Sequence, residues 1–227
     1  MSRRYFPPRI SFLLGLFLGI GLSGISLAAQ DLSEAVFRHP LSPAALPRYR
    51  EISTILSAHP LVKGDFIQKK TLNRLKRSLE SGGTFIIDAE RGMVWETLRP
   101  FPSTMAVGRD YLIQWSPGGR KTKLDARGNE TFLRLAETIS AVFSGNTEKL
   151  LDAFDNYFVE TDGTWTVGLV PGEKNLRSFA RRIILRGDSV IRQITLYEQN
   201  GDTIQYELSG HVFPGALAPH EIVLFSL

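Results

Sequence analysis

The segment from Gly82 to Pro100, GGTFIIDAERGMVWETLRP, constrains the fold more than any other part of the sequence. Two apolar stretches flank an Asp-Ala-Glu-Arg-Gly turn, a pattern that predicts a β-hairpin. Each predicted strand contains three consecutive apolar residues, which are Phe85, Ile86, Ile87, Met93, Val94 and Trp95. Because successive side chains of a strand point to opposite faces, both faces of this hairpin are apolar. The fold must therefore cover the hairpin on two sides.

Short segments with the character of β-strands continue before and after the hairpin. They are residues 61–72, 103–110, 111–117, 119–126, 164–169, 203–212 and the terminal EIVLFSL at 221–227. Many short strands separated by turns are typical of an antiparallel sheet that curves strongly or closes into a barrel. The sequence therefore predicts a mainly β, α+β fold in which a few helices pack against one such sheet.

Three segments have helical periodicity. The first begins at Ser42-Pro43 or at Pro47 and is ended by His59-Pro60. The second, which Ser144-Gly145 ends, has one apolar face made by Phe132, Leu135, Ala136, Ile139 and Phe143. The third is capped by Asn146 or Thr147 and carries Leu150, Leu151 and Phe154.

The N-terminal residues have the pattern of a secretory signal peptide. Arg3, Arg4 and Arg9 precede an uncharged apolar stretch, and Ser26-Leu27-Ala28 places small residues where a signal peptidase cleaves. We predict cleavage after Ala28, which leaves a single domain at residues 29–227. An uncleaved membrane anchor is the alternative. Both the ordinary secretory route and a twin-arginine route lead to the periplasm.

Charge and cysteine content exclude several classes of function. Removal of residues 1–28 takes away three arginines and lowers the formal net charge from +4 to +1. The mature chain is therefore not basic enough to indicate nucleic-acid binding. No cysteine is present, which excludes disulfides, thiolate metal sites and a cysteine nucleophile.

The remaining polar residues do not form a recognisable catalytic or metal-binding motif. The four histidines are scattered, without the paired spacing of a metal site. Glu207, Ser209 and His211 share one face of a predicted strand, but neighbours on such a face are about 7 Å apart, too far for a hydrogen-bonded triad. The sequence thus predicts no catalytic residue, no metal and no cofactor.

A basic stretch follows the first predicted strand. It contains Lys69, Lys70, Arg74, Lys76 and Arg77. Such a stretch is typical of a solvated strand end and turn. The functional alternative is docking to an anionic surface, either lipid headgroups or an acidic protein.

Four short motifs follow one another between Phe66 and Pro117. They are Phe66-Ile67-Gln68, the alternating Gly83, Phe85 and Ile87, then Met93-Val94-Trp95 with Pro100, and finally YLIQWSP from Tyr111 to Pro117. In order and separation, behind one N-terminal helix and a predicted signal peptide, this set resembles the LolA family of periplasmic outer-membrane lipoprotein carriers.

The resemblance implies a fold and a function. The fold is an unclosed antiparallel β-barrel of about ten or eleven strands, with a helical lid over an apolar cavity. The function is to shield the acyl chains of a lipoprotein or lipid in transit from the inner to the outer membrane, without covalent chemistry or a cofactor. The implied partners of the monomeric carrier are its acylated cargo, an inner-membrane release machinery and an outer-membrane acceptor, with no nucleic acid.

The resemblance also implies the residues of the cavity. Those on the sheet side are Phe85, Ile87, Met93, Trp95, Ile113 and Trp115, and those on the helix side are Phe132, Leu135, Ile139 and Phe143. Family members carry an Arg-Pro pair between the two strands of the hairpin, and the arginine helps to hold the lid. Ala89-Glu90 stands at that place here, which makes the next residue, Arg91, the candidate lid latch.

Two other classes of function remain as alternatives. A periplasmic hydrolase acting on envelope lipids would need a catalytic serine or carboxylate pair in the cavity, and spacing reveals none. A sensor or adaptor domain would bind a protein partner and no lipid.

Overall fold

Eleven β-strands form one sheet in the computed structural model, which describes residues 34–108, 111–115, 121–125, 138, 140–143 and 145–225. The strands are β1 Leu61–Leu72, β2 Arg77–Asp88, β3 Gly92–Arg99, β4 Ser103–Val107, β5 Tyr111–Trp115, β6 Lys121–Asp125, β7 Phe154–Thr161, β8 Thr164–Pro171, β9 Arg182–Gly187, β10 Ile191–Tyr197 and β11 Thr203–Val212.

The sheet is antiparallel throughout and is not closed. Its strand order is β6-β5-β4-β3-β2-β1-β11-β10-β9-β8-β7, so the first strand pairs with the last and each half of the chain continues outward as a meander. β6 and β7 stand at the two edges and do not pair with each other within the described ranges. The predicted fold class, an unclosed antiparallel sheet with a few helices, is confirmed.

Four short α-helices accompany the sheet in the described residues. They are α1 Leu46–Ser57, α2 Thr147–Ala153, α3 Lys174–Phe179 and α4 Pro219–Ile222, with 3-10 turns at Ala35–Arg38 and Val223–Phe225. Residues 140–143 are also helical. α1 begins at Leu46, with Pro47 in its first turn, where a missing N–H is tolerated. The side chain of Asn146 caps α2 by accepting a hydrogen bond from the Lys149 backbone.

Two sequence predictions about these elements were wrong. Phe154, placed on the third helix, is the first residue of β7, because α2 ends at Ala153. The terminal segment EIVLFSL, predicted to be a strand, forms the end of α4 and the following 3-10 turn up to Phe225. Pro219 at the start of α4 suits a helix, and the Glu221 side chain accepts a hydrogen bond from the Ala218 backbone.

The principal core lies between the helices and the face of the sheet that carries Phe66 and Phe85. We call this the concave face, and the opposite face, which carries Ile86 and Val94, the convex face. Phe66, Phe85, Trp165, Ile204 and Leu169 are among its most completely buried side chains. Tyr49 and Ile52 of α1 belong to the same cluster, as do Ala141 and Val142 of the helical residues 140–143. The periodic apolar face of α1 therefore packs onto the concave face.

Polar contacts tie α1 to its neighbours. The Arg48 guanidinium donates to both carboxylate oxygens of Glu160 in β7, at 2.9 and 2.7 Å, and this pairing lowers the pKa of Glu160. The Tyr49 hydroxyl donates to the Asn156 side chain at 2.8 Å. Gly145 has a positive φ of 62°, and a Cβ there would lie 2.1 Å from a carbonyl oxygen of α1. The turn before α2 therefore approaches α1 more closely than any other residue type would allow.

The C-terminal segment, residues 217–225, covers the convex face of the hairpin. Ile86, Val94, Ala106 and Ile113 lie side by side across β2 to β5, and they form a cluster with Phe225. Leu217 and Leu224 pack against the same cluster. The Tyr111 hydroxyl donates to the Phe225 carbonyl at 2.9 Å, and Lys63 pairs with Glu221. The hairpin is thus apolar on both faces because the helices cover one face and this segment covers the other.

We expect Phe225→Ala to lower the free energy of unfolding by about 3–5 kcal/mol, because it opens a cavity over four buried apolar side chains. The matched control is Val223→Ala two residues earlier. Val223 is 63% exposed, so its truncation should change stability by less than about 0.5 kcal/mol. Urea unfolding of the two variants measures the difference. Equal losses would contradict the assigned role of the segment.

Candidate functional site

The β2–β3 hairpin brings four of the predicted cavity residues onto the concave face. Phe85 pairs with Trp95 and Ile87 pairs with Met93 across the two strands. Phe85 and Met93 are buried, whereas Ile87 and Trp95 are partly buried and pack against the clusters around them. The alternation within each strand therefore places these four side chains together. Whether they contact a ligand stays a prediction.

An aromatic cluster of Phe66, Phe85, Trp95 and Tyr206 occupies the centre of the concave face. The Trp95 ring lies 4.3 Å from Phe66 in a tilted arrangement and 5.7 Å from Phe85 in a stacked one, and it meets Tyr206 edge-on at 5.2 Å. Gly64 in β1 makes room for the ring of Phe85, since a Cβ there would lie 2.8 Å from that ring. The interior is therefore lined by aromatic rings that are already in contact.

Phe66 and Tyr206 were not among the residues predicted to line the cavity. Phe66 belongs to Phe66-Ile67-Gln68, one of the four motifs that resemble the LolA family. Tyr206 lies in the predicted strand 203–212, in which apolar and polar residues alternate. The pairing of β1 with β11 brings them together, because Phe66 stands opposite Leu208 and Gln68 opposite Tyr206. This contact joins residues about 140 positions apart in the sequence, and local periodicity carries no signal for it.

The predicted placement of Ile113 and Trp115 beside Phe85 and Trp95 was wrong. Across the paired strands Trp95 stands opposite Met105, and Met105 stands opposite Gln114. Gln114 therefore shares the face of Trp95, and its neighbours Ile113 and Trp115 point to the convex face. There they pack in the cluster that Phe225 covers. The register of β5 instead places Leu112 on the concave side, in contact with Met93 and Val107.

The helix side of the predicted cavity is described only in part. Phe143 is partly buried and packs against the clusters that contain Phe85 and Met93. Its position next to the sheet agrees with the prediction that this helix faces the hairpin. The other three predicted residues, Phe132, Leu135 and Ile139, lie outside the described residues.

A pocket opens at one end of the concave face, and we call it the mouth pocket. Its empty space is about 370 Å³ including its open side. Its lining comes from the end of α1, from β1, β2 and β11, from the β9–β10 turn and from Phe143. The lining residues are Leu56, His59, Val62, Phe85, Ile87, Phe143, Ser189, Val190, Ile191, Leu208, His211 and Phe213. Phe85 is therefore shared between the mouth pocket and the aromatic cluster.

Two histidines stand at the mouth pocket. The His59 ring stacks on Phe213 with centroids 4.0 Å apart, and His211 meets Phe85 edge-on at 5.7 Å. Burial lowers the pKa of His211, and the positive charge of Arg192 lowers it further. Both effects favour the uncharged ring. The uncharged ring of His211 suits a pocket that receives a hydrocarbon ligand.

Arg91, the candidate latch, is bound within its own turn. Its Nη1 donates to Asp88 at 3.0 Å, and Glu90 lies 3.8 Å away. The other carboxylate oxygen of Asp88 accepts hydrogen bonds from the backbone N–H groups of Glu90 and Arg91, both at 2.9 Å. Asp88 thus organises the turn, and Arg91 braces Asp88. Residues 126–137 lie outside the described ranges, so contacts between them and Arg91 are not described, and the role of Arg91 as a latch stays a prediction.

Substitutions in this turn should separate the contribution of Asp88, which organises the turn, from that of Arg91, which braces Asp88. Asp88→Ala removes the acceptor of two backbone N–H groups and should cost about 2 kcal/mol of stability. Arg91 is 43% exposed in its side chain, so Arg91→Leu should cost less than about 1 kcal/mol. Thermal unfolding of both variants, with Asp88→Asn as the control that keeps an acceptor, measures the order. A larger loss for Arg91→Leu would show that its guanidinium holds more than the turn.

The described residues offer no metal-binding group of three or more His, Asp or Glu side chains. None of the helices in the described ranges has the length and hydropathy of a bilayer-spanning segment. The features of the site that the described residues show are an unclosed sheet, an apolar concave face and a helical cover.

Residues 60–221 match the family model described as outer membrane lipoprotein carrier protein LolA. The chain belongs to the LolA family. The LolA match begins just before β1 and ends in α4, so it contains every strand of the sheet. No curated protein matches the chain in sequence.

Solved structures similar to this LolA-family chain are distant from it in sequence. One, a Vibrio parahaemolyticus domain described by outer membrane lipoprotein sorting, is 11% identical, with 78% of this chain and 97% of that chain covered and a TM-score of 0.41. Another, a LolA superfamily protein from Nitrosomonas europaea, is 6% identical, with 77% and 96% covered and a TM-score of 0.42. Because these scores are low, the family assignment rests on the match of residues 60–221.

Proposed function

We propose that this chain is a periplasmic carrier that shields the acyl chains of a lipoprotein or lipid between the inner and outer membranes. The observation that carries the proposal is the match of residues 60–221 to the lipoprotein carrier family. The apolar concave face supports it, because each methylene group taken from water contributes about 0.8 kcal/mol. A carrier gains affinity in this way without covalent chemistry, a metal or a cofactor.

The acyl chains enter, in this proposal, through the mouth pocket and continue toward the aromatic cluster. Phe85 and Ile87 of the sheet line the pocket together with Phe143 of the helical residues 140–143. Pockets for drug-sized ligands span about 300–1,000 Å³, and because the empty space of about 370 Å³ in the mouth pocket includes open solvent, its enclosed part is smaller than such a pocket. A cargo with several acyl chains therefore requires α1 or the helical residues 140–143 to move away from the sheet.

The same proposal includes the compartment and the partner proteins of the carrier. The signal peptide at residues 1–28 delivers the domain to the periplasm, where an inner-membrane release machinery loads the cargo and an outer-membrane acceptor removes it. Arg91 is the candidate latch of the lid. If it exchanges Asp88 for a lid carbonyl during the cycle, Arg91→Leu will change the rate of cargo release while the unfolding free energy stays nearly constant.

A titration with a triacylated lipopeptide tests the proposed function. The protein carries three tryptophans, and the ring of Trp95 is part of the aromatic cluster, so cargo binding should change the fluorescence. The same peptide without its acyl groups is the control and should not bind. Equal binding of the two peptides would contradict the carrier proposal and favour a domain that recognises protein alone.

A further inference from the structure

The indole N–H of Trp95 is a buried donor without a hydrogen-bond acceptor among the described residues. An indole nitrogen only donates, so no rotation of the ring turns it into an acceptor. A buried donor without a partner costs free energy, and most such groups in native proteins are satisfied. Trp165 shows the usual arrangement, since its Nε1 donates to the Asp188 carbonyl. The contrast marks Trp95 as a donor in need of a ligand.

The position of this donor limits what the ligand can be. Trp95 lies between the rings of Phe66, Phe85 and Tyr206 on the concave face. Aromatic faces accept hydrogen bonds only weakly. Phe85 also lines the mouth pocket, so a ligand that passes through that pocket reaches the neighbourhood of Trp95. A molecule that satisfies the donor must carry an acceptor into surroundings that are otherwise apolar.

We propose that Trp95 Nε1 donates a hydrogen bond to the carbonyl oxygen of the ester or amide that joins an acyl chain to its cargo. The inference rests on the proposed carrier function and specifies how the cargo is recognised. The methylene groups of an acyl chain offer no acceptor, whereas the carbonyl at the head of the chain does. That carbonyl loses water on burial, and pairing with the indole N–H satisfies both groups at once. The bond fixes how deeply that chain enters.

Two lipids that differ only in this carbonyl test the proposal. Diacyl phosphatidylglycerol carries ester carbonyls, and its dialkyl ether analogue with equal chains carries none. The wild-type protein should bind the ester lipid about tenfold more tightly, the effect of one hydrogen bond to an otherwise unsatisfied donor. Trp95→Phe keeps an aromatic ring but removes the donor, so the ratio of the two affinities should fall to about one. Any loss of packing applies to both lipids and cancels in the ratio.

A second measurement tests the bond without a variant. Uniform ¹⁵N labelling gives one indole signal for each of the three tryptophans. The Trp95 signal should move downfield with the ester lipid and not with the ether lipid, while the signal of Trp165, already bonded to Asp188, should stay in place. Equal affinities of the wild-type protein for both lipids, with equal shifts, would overturn the inference and leave the carrier function intact. Failure of both lipids to bind would overturn the carrier proposal itself.

Discussion

Ile87→Glu is expected to lower the affinity for a triacylated lipopeptide by at least about a hundredfold. Ile87 lines the mouth pocket and packs against the clusters of the concave face. A carboxylate at this position either remains charged among hydrocarbon chains or takes up a proton, and both cost binding free energy. Fluorescence titration measures the loss, and circular dichroism establishes that the variant keeps its fold. An affinity like that of the wild type would mean that cargo does not contact this wall.

Ile67→Glu is the matched control for this experiment. Ile67 in β1 lies next to Phe66, so its side chain points to the convex face, and it is 44% exposed. The same substitution there changes net charge and residue type equally but places the carboxylate in water. Its affinity for the lipopeptide should equal that of the wild type within about twofold. A similar loss in both variants would attribute the effect to charge rather than to the concave face.

Lys70→Met should destabilise the fold by about 3–5 kcal/mol, because it leaves Glu198 without its partner in a buried site. The Lys70 ammonium lies 2.9 Å from Glu198, and the two side chains are only 8% and 15% exposed. Lys70 is on the same face of β1 as Phe66. Burial raises the pKa of Tyr206, and the negative charge of Glu198 raises it further. The ion pair therefore borders the aromatic cluster. Urea unfolding measures the loss.

Two further variants test whether the lost stability comes from the unpaired charge of Glu198. Lys70→Met combined with Glu198→Leu removes both charges and should recover most of the lost stability, since an apolar pair of similar size often replaces a buried ion pair. Arg50 and Glu148 form an ion pair in which the side chains are 53% and 67% exposed. Arg50→Met should therefore cost less than about 1 kcal/mol. If the double variant is as unstable as the single one, the lost free energy comes from packing and not from the unpaired carboxylate.

Periodicity alone was enough to predict the hairpin and the predominantly β fold. Phe85, Ile87, Met93 and Trp95 alternate with residues of the other face, and the structure keeps that alternation across the paired strands. The helical periodicity of α1 was also readable, and the cap of α2 was narrowed to Asn146 or Thr147, of which Asn146 is the cap. Both features depend on residues within a few positions.

The rest depended on contacts between distant segments. Ile113 and Trp115 were assigned to the cavity by matching a motif, whereas the face of a strand is decided by its register with the strand beside it. The cover over Val94 comes from Phe225, more than 100 positions later, where the sequence resembles a strand as much as a helix. Lys70 belonged to a basic stretch that is typical of a solvated turn, and only the structure shows its buried partner. Such pairings are properties of the topology and leave no local pattern.

Native mass spectrometry of the protein released from the cell envelope without detergent is the most direct test of whether the protein carries lipid. A carrier in transit should arrive with a noncovalent addition of one or more lipid or lipoprotein masses, removable by activation to give the unmodified polypeptide mass. The Ile87→Glu protein, isolated in the same way, should lack that addition, and the Ile67→Glu protein should keep it. A clean polypeptide mass for the wild-type protein, together with esterase or lipase activity in the same preparation, would contradict the carrier function and favour a hydrolase.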